Sequence, residues 1–185
     1  QGDRTVPLLA VMAFLAPAAG APIQEWMQDS LKSTVVVLAT LLAAFLFFWG
    51  QRERREPLRA HVFLVFPLIL LVYALGSMVW SHPYLAGVEA VRWFMFGLLL
   101  WLGINTLSLE RVPMLAWGIH LGAVGAGLWA ALQFWFDLKI FAQGPNPGST
   151  FVNRNFFAEF VACAIPFGFY LLARARSKGQ IGLLA

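Results

Sequence analysis

Charge is what this sequence lacks. Asp, Glu, Lys and Arg make up 12% of its 185 residues, against 60% hydrophobic ones, too little to cover the surface of a soluble domain of that size. The shortage falls in blocks. No charged side chain lies between Arg4 and Glu25, Lys32 and Arg52, Arg59 and Glu89, Arg92 and Glu110, or Arg111 and Asp137. Each block can hold the roughly 17–25 helical residues that cross about 30 Å of hydrocarbon. Cysteine is nearly absent too: Cys163 stands alone, which excludes a disulfide framework or a thiolate cluster within the chain and leaves a small core residue as its expected role. No His or carboxylate pair has metal-ligand spacing, so neither a metal nor a cofactor is expected. The alternating segments of about ten residues that mark a membrane β-barrel are missing as well. Helices are the remaining way for a backbone in lipid to satisfy its own polar groups.

What is present therefore predicts an all-α integral membrane protein: a bundle of about six transmembrane helices plus the start of a seventh, in a single polytopic domain over 1–185. The spans are expected near 5–23, 33–50, 60–80, 88–108, 113–136 and 156–173, with 181–185 beginning another. AFLAPAAGAP (13–22) resembles a signal-peptide cleavage region, but the apolar run around it is longer than a typical signal core and favours a retained anchor. Basic residues set the orientation. Arg4, QRERREPLR (51–59), SLERV (108–112) and RARSK (174–178) fall on one side and collect nine of the 13 Lys and Arg. Lys32, Arg92, Lys139 and Arg154 fall on the other. The positive-inside rule makes the first side, with the N-terminus, cytoplasmic. The net charge of +4 then reflects topology, and no nucleic-acid partner is expected; QRERREPLR reads as a mixed-sign turn between helices.

Tryptophans follow the same scheme. Trp26, Trp80, Trp93 and Trp135 fall near the outer interface and Trp49 and Trp117 near the inner one, as an aromatic belt does. Trp101 and Trp129 lie deeper and are expected to pack helices. GAVGAGLW (122–129) puts Gly122, Gly125 and Ala126 near small-xxx-small spacing, a signal for close helix approach. His120, about two turns into the fifth span, is expected to face the interior; a proton relay is its functional reading. His82 before Pro83 suits a helix end with its ring in water.

One connection stands apart, DLKIFAQGPNPGSTFVNRN (137–155). It is the longest and the richest in turn residues, with Pro145 and Pro147 excluding regular helix and Gly144 and Gly148 permitting positive φ. Long ordered loops are disproportionately functional. Asn155 is expected to cap the following helix, and Glu159 to complement its positive end. Arg154 either snorkels to the interface or, with Lys139 on the same loop, forms an anion site at a helix N-terminus. Glu89 and Arg92, at i and i+3, either pair on one helix face or leave Arg92 pointing into an outward cavity.

Ser149-Thr-Phe-Val-Asn153-Arg-Asn155-Phe-Phe-Ala158, followed by an apolar helix with Pro166, resembles the Gly-Thr-Phe-x-Asn-x-Asn-x-x-Ala segment of the O-antigen ligase/polymerase superfamily. These multispan proteins of the bacterial inner membrane transfer glycans from undecaprenyl-diphosphate carriers on the periplasmic face, without a metal. The likeness is to the N-terminal half of such a protein, since the family's Ser-Arg-Gly segment and the His of its large periplasmic loop have no counterpart in these residues. Ser149 stands where the family commonly has Gly, and Arg154 where it frequently has Pro. The resemblance implies polysaccharide biosynthesis, with membrane lipid and a polyprenyl-diphosphate-linked glycan as partners. Arg154, Arg92 and Lys139 are the candidates for the diphosphate, Asn153 and Asn155 the residues shaping the loop, and no catalytic residue is assignable. A non-catalytic membrane subunit, packed against protein partner subunits of a larger complex, is the alternative. A small-solute transporter lined by His120 and the Glu89/Arg92 pair is a third reading.

Overall fold

The computed structural model describes residues 4–22, 30–54, 56–140, 147–151 and 153–184. The helices are α1 (Thr5–Ala18), α2 (Leu31–Arg54), α3 (Val65–Ser77), α4 (Pro83–Thr106), α5 (Val112–Phe136), α6 (Arg154–Arg174) and α7 (Lys178–Leu184). No strand occurs among the described residues. Among the described residues four helices, α2, α4, α5 and α6, are long and apolar enough to cross a membrane; Thr5–Ala18 and Val62–Ser77 are apolar but shorter. Side chains such as Phe66, Ile69, Val72 and Tyr73 stand exposed along α3, a placement for which hydrocarbon is the fitting solvent. This is an all-α membrane protein. Trp26, Gly144 and Pro145 lie outside the described residues.

Helix ends depart from the expected ones for local reasons. α4 starts at Pro83, preceded by extended His82; proline at a first helical position has no amide to leave orphaned. The Glu89/Arg92 pair therefore sits inside the helix, not at its start. α2 continues through Arg54, so the first residues of QRERREPLR form a last helical turn, a correction to the turn expected there. The Gln51 side chain then donates to the Glu56 carbonyl (3.0 Å). Val62–Leu64 form a 3-10 turn, capped by His61 Nδ1, which accepts from the Phe63 amide (3.3 Å). Cys163 is exposed, not a core residue: it lies on a different face of α6 from buried Ala164 and Leu171.

The chain forms two compact units, one built on Thr40–Ser108 and the other on Val6–Ala39 with Leu109–Ala185. In the first, α3 packs on α4, where a Cβ on Gly97 would lie only 3.5 Å from the buried Pro67. Trp101 meets Phe47 edge-on (5.2 Å between centroids) and stacks on Phe48 (5.6 Å), the packing role expected of it. Asn105, in the last turn of α4, clips the connection ahead of α3. Its Oδ1 accepts from the Arg59 amide (2.7 Å), and its Nδ2 donates to the Arg59 carbonyl (2.9 Å).

In the second unit, α1 lies on α5 along a row of small residues. Gly118, Gly122, Ala126 and Ala130, four apart, are all buried, and Gly125 flanks the row, with space for a Cβ 3.8 Å from Ala18. A Cβ on Gly118 would come 2.3 Å from the Ala10 carbonyl oxygen, and one on Gly122 would come 2.8 Å from that of Ala13. Pro17 explains the second contact. It has no amide to donate to the Ala13 carbonyl, four residues earlier, and its own Cγ would lie 2.7 Å from the same Cβ. α5 and α6 pack antiparallel, with Gly168 making room for the His120 ring: a Cβ there would lie 3.3 Å from Nδ1.

Candidate functional site

The second unit gathers its polar chemistry where α1 ends, α2 begins and residues 147–151 return toward α6. Ser149 and Thr150 are fully buried. Ser149 holds φ 58°, the left-handed region that L-residues other than Asn and Asp avoid at a cost of roughly 1–2 kcal/mol. Its hydroxyl offsets that cost by donating to the Ala126 carbonyl (2.6 Å). Gln133, 1% exposed, holds the Ser149 backbone from both sides: Oε1 accepts from its amide (2.7 Å) and Nε2 donates to its carbonyl (3.0 Å). Thr150 Oγ1 donates to the Pro17 carbonyl. A glycine would adopt this left-handed backbone without strain; serine offsets the strain with its bond. Ser149→Gly is accordingly expected to melt near the wild type. Ser149→Ala loses the hydroxyl and keeps the strain, and should be less stable than Ser149→Gly by roughly 1 kcal/mol in thermal unfolding. Equal stabilities would remove the strain argument.

Lys32 closes the arrangement. Its ammonium, with three N–H donors, lies within hydrogen-bond distance of four oxygens, the carbonyls of Ala16 (3.0 Å), Pro17 (3.2 Å) and Ala19 (3.1 Å) and Thr150 Oγ1 (3.1 Å), and 4.2 Å from the centroid of the Phe151 ring. A helix leaves its last carbonyls without intrahelical donors and concentrates negative potential on them; one cation answers those of α1. Phe151 in turn stacks on Phe160 (5.6 Å), which joins the return segment to α6. Sequence reasoning counts Lys32 only as an outer-face charge. The available signals were its position at the edge of a long uncharged run, and Gln133 as the one amide side chain within the α5 block.

α6 is capped by Asn153, not Asn155. Asn153 is extended and its Oδ1 accepts from the Asn155 amide (2.8 Å), leaving Arg154 as the first helical residue. The bond joins the two asparagines singled out from the sequence. Glu159 lies beyond the first turn, which holds no acidic residue, and the dipole's influence fades over that distance. Arg154 is exposed and has no ion-pair partner among the described residues. Lys139 is paired with Asp137 (2.9 Å); that hydrogen bond, then the carboxylate's charge, holds the exposed ammonium above its ordinary pKa. Arg92 belongs to the other unit and pairs with Glu89 (2.6 Å), both about half exposed, so the i, i+3 pairing is formed. His120 faces α6 as expected, edge-on to Trp117 (5.9 Å); its Nε2 is buried with no hydrogen-bond partner among the described residues. No cluster of three or more His, Cys, Asp or Glu among the described residues could hold a metal ion.

Fold and site define an all-α membrane protein with a polar seam beneath the start of α6. Comparison of the chain with family models, with curated proteins and with solved structures finds no match.

Proposed function

We propose that the chain forms part of a lipid-linked glycan transferase that resembles the O-antigen ligases and polymerases and engages an undecaprenyl-diphosphate carrier. On this reading it lies in the bacterial inner membrane with its N-terminus cytoplasmic, and residues 137–155 face the periplasm. One observation carries the reading: within the resembling segment, buried Ser149 and Thr150 fix the chain so that Asn153 caps α6 and Arg154 stands exposed at its first position. A guanidinium without an ion-pair partner among the described residues, at the first position of a helix, suits a diphosphate. Arg154→Ala is expected to weaken binding of undecaprenyl diphosphate roughly tenfold to a hundredfold with folding intact, as loss of a charge-assisted contact does. A second reading, a non-catalytic subunit of a larger complex, is favoured by the neighbours that already compensate Lys139 and Arg92. Unchanged lipid binding in Arg154→Ala, with stable co-purification of a partner, would decide for it.

A further inference from the structure

At opposite ends of the α5–α6 pair the charges differ. Counted along the sequence, the end where α5 stops and α6 starts holds two carboxylates, Asp137 and Glu159, and two cations, Lys139 and Arg154, of which only Lys139 is ion-paired among the described residues. The end where α5 starts and α6 stops holds Arg111, Arg174, Arg176 and Lys178 and one carboxylate, Glu110. Arg174, Arg176 and Lys178 are exposed and have no ion pair among the described residues. Their backbone is held in place. The Arg176 amide donates to Gln180 Oε1 (2.9 Å) and the Gln180 amide to Ser177 Oγ (3.2 Å), which fixes the turn between α6 and α7. The Arg174 guanidinium lies 5.6 Å from the centroid of the Tyr170 ring, so it is steered back along the last turn of α6. Three cations thus crowd the end of a membrane-length helix on a short, ordered turn. Such an end of a spanning helix lies at the depth of phospholipid headgroups.

We propose that Arg174, Arg176 and Lys178 form a binding surface for the phosphate headgroups of anionic phospholipids. The surface is separate from the start of α6 and does not rest on the glycan reading. Planar guanidinium groups can each take two phosphate oxygens, while the lysine adds an unshaped positive charge. Tyr170, beside Arg174, supplies an aromatic ring of the kind that favours the interface.

The test is to reconstitute the full chain in nanodiscs of phosphatidylcholine with a minor fraction of phosphatidylglycerol, and to measure by native mass spectrometry which lipids remain bound. The wild type is expected to retain phosphatidylglycerol well above its share. The variant Arg174→Gln/Arg176→Gln/Lys178→Gln should lose roughly tenfold or more of that preference, since each cation at a membrane surface contributes about fivefold. Arg174→Lys/Arg176→Lys keeps the charge and should keep most of the preference. The surface is overturned if the triple variant retains phosphatidylglycerol like the wild type. It is equally overturned if inorganic phosphate at matched ionic strength displaces the lipid, because a headgroup held in the membrane plane should outcompete a free ion.

Discussion

Gly118→Ala is expected to lower the unfolding free energy by about 3 kcal/mol and the melting temperature of the purified protein by roughly 10 °C. The added Cβ would meet the Ala10 carbonyl oxygen at 2.3 Å, its carbon at 2.9 Å and its Cα at 3.0 Å. All three atoms are backbone, so no rotamer change relieves the clash, and α1 has to back away from α5. In a membrane that retreat has little to soften it. Lipid is as apolar as the side chains, so close van der Waals contact carries what helix association there is. Gly127, on the same helix, has nothing within 4 Å of an added Cβ. Gly127→Ala should be neutral or gain slightly from the better helix former. If the two variants melt alike, α1 is not seated on Gly118.

Lys32→Met should cost about as much by the opposite route, removing bonds instead of adding bulk. Methionine preserves the apolar stem but takes the ammonium from the carbonyls of Ala16, Pro17 and Ala19, of which Pro17 keeps the Thr150 hydroxyl as a donor. Hydrogen bonds to a charged group contribute about 1.5–3 kcal/mol each, but three made by one ammonium overlap, so a loss of about 4 kcal/mol is expected. Thermal unfolding measures the total. Hydrogen exchange locates it, since the end of α1 should exchange faster than α5. The bond between Lys32 and Thr150 gives a sharper test: Lys32→Met and Thr150→Val should be non-additive in a double-mutant cycle. Unaltered exchange at the end of α1 would show that Lys32 does not hold it.

The helices were legible because the charge-free blocks are long and because nothing but helix suits such blocks in lipid. Their ends were less so, since charge was used to mark them. Glu89 and Arg92 satisfy each other within the helix, and Gln51–Arg54 stay helical despite their polarity. α1 stops at Ala18, short of the expected residue 23, with Pro17 already in its last turn and a lysine from a later helix donating to its last carbonyls. That capping joins residues that local pattern does not connect. The asparagine cap was read two residues too late, because Asn153 and Asn155 offer the same side chain and only backbone geometry separates them. The motif that suggested a glycan carrier was legible as residues, and two of them, Ser149 and Thr150, are committed inward to Ala126 and Pro17. A sequence motif does not say which of its members face a ligand and which face the protein.

Asn105 and Gln133 each hold a distant residue by its peptide group alone, taking hold of both the amide and the carbonyl. Such a grip is indifferent to the side chain that the held residue carries. At position 59 the grip itself excludes only proline, which has no amide to give. At position 149 the same tolerance is narrowed by the left-handed backbone. The two amides therefore let connections drift in sequence while their paths stay put, and mutational scans should find the holders more constrained than the held.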